Sequence, residues 1–123
     1  MAIDNLDDIE ALRALPSVER WLAEVGVAGE GHEDESLMWA KGLQGFCQYT
    51  GNDPDALLES CFRKTKQGDM AISAKGRREI DAQIDEYEAS LGLAGRDAIV
   101  AGNRIRSFLI HNGVFMQGRV AYP

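Results

Sequence analysis

The chain has 123 residues, 45% of them hydrophobic and 27% charged, with a formal net charge of −7. That is one domain's worth of polypeptide, long enough to bury a core, and no apolar run approaches the ~20 residues a bilayer-spanning helix needs. The acidic start MAIDNLDDIEA is unlike the basic-then-apolar head of a signal peptide, which points to the cytoplasm and away from a membrane partner.

Residues 5–14 read as a short acidic helix with Leu6, Ile9 and Leu12 on one side, interrupted by Pro16. Ser17 then reads as the N-cap of SVERWLAEV, where Val18, Trp21, Leu22 and Val25 are spaced to pack. Gly26, Gly29 and Gly31 make a flexible break. The next helix spans 32–50, and Glu33, Asp34 and Glu35 suit the positive end of its dipole. Its two apolar ridges, Ser36–Ala40–Leu43–Cys47 and Trp39–Leu43–Phe46, suggest a central element. Gly51 is its stop signal, and Asp53-Pro54 opens another helix, with Asp as cap and Pro in the first turn.

RKTKQGDM, residues 63–70, is polar, contains Gly68 and reads as a loop. A long helix follows over 73–91, with Ile80, Ile84, Tyr87 and Leu91 on its buried side and Gly92 at its end. The last helix spans 93–113. Ala98, Ala101, Gly102, Ile105, Phe108 and Leu109 recur at steps of three and four, so one face is apolar, small at its start and bulky at its end. Arg96, Asn103 and Arg106 fall on a different stripe. No strand-like alternation of useful length occurs. The expected fold is therefore all-α, a compact bundle of about five helices.

Signatures of catalysis are missing. No Ser, Cys, Thr or Tyr carries the neighbours that nucleophilic chemistry requires. Cys47 and Cys61 sit in apolar helical contexts and read as buried thiols; His32 and His111 are too far apart for a zinc spacing. Glu33, Asp34 and Glu35 read as solvated caps, and Gly26–Gly31 lacks the Lys-Ser or Lys-Thr of a phosphate loop. Tyr49, Tyr87 and Tyr122 have no basic neighbours to activate them. No cofactor or small-molecule substrate is implied, and the chain is not expected to be an enzyme.

Charge is unevenly distributed. Residues 1–35 hold ten acids against two bases, −8; residues 36–123 hold ten acids against eleven bases, +1. Between Arg63 and Arg78, six bases face Asp69 alone. Such asymmetry matters more than the total when the partner is a polyanion. The cationic constellation is Arg63, Lys64 and Lys66; Lys75, Arg77 and Arg78; and Arg96, Arg104 and Arg106. Lysine and arginine bind phosphates by charge and hydrogen bonding, so these nine are candidate phosphate contacts.

Three stretches, taken in order, carry a resemblance: SVERWLAEV; SLMWAKGLQGFCQYTGNDPDALLE; and GLAGRDAIVAGNRIRSFLIHNGV. Within them, the helix ending Phe46-Cys47-Gln48-Tyr49-Thr50-Gly51 runs into Asp53-Pro54-Asp55-Ala56-Leu57-Leu58, and Ile105-Arg106-Ser107-Phe108 leads into His111-Asn112-Gly113-Val114. Over roughly residues 17–116 the chain resembles the N-terminal, SAM-like core-binding domain of tyrosine recombinases, the phage integrases and their relatives. The resemblance implies a non-catalytic half of a clamp around double-stranded DNA, which meets other recombinase protomers in a synaptic complex during integration and recombination, and it makes Lys41 and the nine cations above the candidate DNA contacts. It implies three segments: 1–31 as an acidic helical head, 32–113 as the DNA-binding bundle, and 114–123 as a linker toward a catalytic domain that this chain lacks. Gly42 and Gly45 stand where relatives commonly carry arginine. The competing expectation is a helical protein–protein interaction module that does not bind DNA, favoured by the acidic head.

Overall fold

The computed structural model describes residues 5–119, so Tyr122 and the outer ends of the expected 1–31 and 114–123 segments lie outside the described residues. Local chemistry sets the element boundaries. Asp8 caps α1 (Ile9–Arg13) by accepting from the Ala11 amide at 3.0 Å. Helix α2 (Pro16–Glu24) begins one residue before the expected cap, because proline fits the first helical position, where no amide partner is needed. Leu15 therefore takes the N-cap position, and Ser17 lies inside the helix. Its hydroxyl donates to Asp55 at 2.9 Å, tying α2 to α4 (Pro54–Glu59). Between them runs α3 (Glu33–Thr50), which Gly51 ends in the left-handed conformation at φ 75°. Asp53 caps α4 as expected, accepting from the Ala56 amide at 2.8 Å.

Residues 63–70 are a hairpin and not the expected loop. Strand β1 (Phe62–Lys64) pairs antiparallel with β2 (Met70–Ile72), with Phe62 opposite Ile72 and Lys64 opposite Met70. The Thr65 amide donates to the Asp69 carbonyl at 2.7 Å, and Gly68 takes φ 89° to close the turn. Three-residue strands are too short to display alternation in sequence. Ser73 then caps α5 (Ala74–Ser90), accepting from the Gly76 amide at 3.0 Å, while its own amide donates to the Cys61 carbonyl at 2.8 Å. Those two bonds fix the base of the hairpin to the start of α5. Gly76 is buried there, and a Cβ on it would collide with the Ser60 carbonyl oxygen. Helix α6 (Gly95–Ile110) closes the bundle.

The described residues thus form six helices, one more than expected, and a single two-stranded sheet. The chain is predominantly α-helical. Its core is continuous: Leu12 of α1 and Trp21 of α2 join Leu43 and Phe46 of α3, Ile84 of α5 and Phe108 of α6. The expected boundary between 31 and 32 is therefore not a boundary in the core. Trp21, fully buried, meets Trp39 and Phe108 edge to face with ring centres 5.6 Å apart, and its indole N–H donates to Ser107 at 3.1 Å. Val114 and Met116 are buried, and the Val114 amide donates to the Leu109 carbonyl at 2.9 Å, so residues 114–119 fold back along the bundle. No helix among the described residues is long and apolar enough to cross a membrane.

Candidate nucleic-acid interface

Of the ten candidate cations, the fold gathers six. Arg63 and Lys64 lie on β1, Lys66 in the hairpin turn, and Lys75, Arg77 and Arg78 in the first two turns of α5. The Ser73–Cys61 bond holds these two elements together. Arg63, Lys64, Lys66, Lys75 and Arg78 are exposed and Arg77 is half-buried. Among the described residues only Lys75 of the six has a carboxylate within reach, Glu79 at 3.9 Å, one turn along its own helix. Arg77 donates instead to the Phe115 carbonyl at 3.4 Å. Solvated cations on a short rigid hairpin cost little to bring against a phosphate, because no internal ion pair has to be broken.

The remaining candidates lie on α3 and α6. Arg104 sits over the Trp39 ring with its guanidinium carbon 5.2 Å from the ring centre, which holds the side chain in place while leaving it half-exposed. Lys41 is exposed on α3, two residues from Trp39 and so on another side of that helix. Arg96 is exposed in the first turn of α6, about 12 Å along the helix from Arg104 by the helical rise. Gly45 of α3 is held small by its surroundings: a Cβ there would collide with the Tyr87 hydroxyl.

Arg106 is a correction. Its side chain is 1% exposed. Nε donates to Asp81 at 2.9 Å, Nη2 to Asp85 at 2.8 Å, and Nη1 to Glu88 at 3.0 Å and Asn103 at 3.2 Å. Burial pulls the guanidinium's pKa down, the hydrogen bonds to Asp81 and Glu88 push it up, and the net direction is up, so the charge stays in place. Arg119 adds a second cation, bonding Glu88 from the folded-back segment. Arg106 is a bolt between α5 and α6, with each guanidinium nitrogen engaged inside the protein. Gly102 makes the seam possible, since a Cβ there would overlap the Glu88 carboxylate. A signal for it was present: Asp81, Asp85 and Glu88 are spaced by four and three, which stacks them on one face of α5.

The seam also changes the charge balance. With Arg106, Arg119 and their three carboxylates set aside, residues 36–123 keep seven acids and nine bases, +2, and those nine bases are the other nine candidates. Burial pushes the Cys47 thiol up to about 12 and raises Cys61, with the nearby Arg77 charge acting only weakly against it. Burial also raises the Tyr87 phenol. Glu33, in the first turn of α3, is lowered by hydrogen bonds from its own amide and that of Gly31, as an N-terminal capping carboxylate should be. Comparison of the chain with protein-family models, curated proteins and solved structures finds no match.

Proposed function

We propose that this chain is a non-catalytic DNA-binding domain that grips duplex DNA through phosphate contacts, of the SAM-like core-binding kind found in tyrosine recombinases. The observation that carries the reading is the set of exposed cations on the hairpin and the α5 start, two elements tied by the Ser73–Cys61 bond, where Arg63, Lys64, Lys66 and Arg78 have no carboxylate within reach among the described residues. Phosphate contacts supply most of the affinity of such domains without reading sequence. Arg104, steadied by Trp39, and the exposed Lys41 add further cations on α6 and α3. The ordered motifs that resemble the recombinase domain support the same reading, and synaptic contact with other protomers belongs to it. The chain in this reading binds and does not cut.

The test is a fluorescence-anisotropy titration of a labelled 20-base-pair duplex at several salt concentrations, with wild type and the triple charge reversal R63E/K64E/K66E. A cation taken away from a phosphate lowers the salt slope by about one. The reading expects steeply salt-dependent wild-type binding and a variant slope shallower by about three. Equal affinity and slope in both proteins would take the hairpin out of the interface.

A further inference from the structure

Residues 114–119 carry a side chain that neither the core nor the basic surface explains. Burial alternates along the segment: Val114 and Met116 face the core, while Phe115 and Gln117 face water. Successive side chains of an extended segment point to opposite sides, and outward positions are ordinarily polar. Here one is phenylalanine, 74% exposed, the most exposed large apolar side chain among the described residues. Its backbone is held on both sides. The Val114 amide bonds Leu109, Arg77 bonds the Phe115 carbonyl, and the Asn103 side chain exchanges two hydrogen bonds with the Arg119 backbone at 2.7 and 3.0 Å. The ring is presented to solvent by a fixed backbone.

Phe115 lines a cleft of about 220 Å³ together with Arg77, Arg78, Asp81, Met116 and Gln117. The carboxylate in that lining, Asp81, is already engaged by Arg106 at 2.9 Å. Asp81 is still 46% exposed, with one oxygen on Arg106, and beside it the cleft offers a ligand one aromatic face and two guanidinium groups. That pairing suits a nucleotide whose base has left its stack: the base lies on the ring and the phosphate meets the arginines. Base–aromatic stacking accepts any base, since every base has a π-face, and apolar side chains beside cations wedge into opened base steps.

We propose that the Phe115–Arg77–Arg78 cleft binds one unstacked nucleotide of the DNA that the domain grips, an inference that rests on the duplex-binding reading above. Because the backbone around Phe115 is already fixed, binding orders little that is mobile. The cleft prefers DNA with an unpaired base over a perfect duplex.

The experiment uses the full chain and two labelled 20-base-pair duplexes, identical except that one carries a single bulged thymine. Wild type, F115A and F115W are titrated by anisotropy at one salt concentration, with far-UV circular dichroism confirming the fold; Phe115 is exposed, so its replacement leaves the core intact. Wild type is expected to bind the bulged duplex about five- to tenfold more tightly than the perfect one. F115A loses that preference while its affinity for the perfect duplex stays within about twofold, and F115W keeps it. A wild type without preference, or an F115A that retains it, overturns the nucleotide site while duplex binding stands. A wild type that binds neither duplex overturns both readings.

Discussion

The α5–α6 seam and the hairpin use the same cationic chemistry in opposite circumstances. Arg106 is 1% exposed and gives donors to three carboxylates, two of which remain half in water. Arg63, Lys64 and Lys66 are exposed and reach no carboxylate among the described residues. In the seam, desolvation is offset because each guanidinium nitrogen has a partner, and removing the arginine would leave Glu88, itself 4% exposed, with Arg119 alone. On the hairpin nothing is desolvated until a partner arrives. An arginine becomes a bolt or a contact according to what its neighbouring helix places opposite, and a polyanion has use only for the second kind.

The contrast is broken most directly at Arg106. R106Q should lower unfolding stability by about 3–5 kcal/mol, the cost of breaking a buried ion pair, in urea titrations at neutral pH. A loss under about 1 kcal/mol would mean that the carboxylates are solvated without it. G102A attacks the same seam sterically: the added methyl has to displace a carboxylate pinned by Arg106 and Arg119, for a loss of about 1–3 kcal/mol. Thermal melts check this, and an unchanged melting temperature would show the helices free to slide apart.

Dryness of the interior can be tested away from arginine. The folded protein holds the Cys47 thiol at about 12 against an ordinary value of 9.0. The neutral form is favoured by folding, so this contribution is complete below pH 9 and is lost as pH rises toward 12. C47A should be less stable at neutral pH because it leaves a cavity, yet lose less stability than wild type between pH 9 and 11. Parallel losses would contradict a buried thiol. The hairpin should show the smallest effect on stability. R63E/K64E/K66E, exposed throughout, should stay within about 0.5 kcal/mol of wild type.

Much of the framework was legible because it is written in local rules. Asp53-Pro54, Gly51, Ser73 and Gly92 mark helix ends by cap chemistry and backbone geometry that need no tertiary information. Trp21, Leu43, Ile84, Ile105 and Phe108 announce themselves by spacing. What escaped depends on a second element. Ser17 looked like a cap until Pro16 took the first helical position. The hairpin strands are three residues each, too short for a period to register. The arginine stripe of α6 was placed correctly around the helix, but only packing reveals that α5 covers Arg106 and leaves Arg96 in water. The acidic spacing on α5 and the glycine at 102 together carried that information. Residues 114–119 have no helical pattern, and nothing local says that Val114 and Met116 turn inward.

The salt dependence of duplex binding, compared between wild type and R63E/K64E/K66E, tests the central claim most directly. The account predicts wild-type affinity that falls steeply as salt rises, and a folded variant that binds more weakly with a slope shallower by about three. A variant with wild-type affinity and wild-type slope would contradict it.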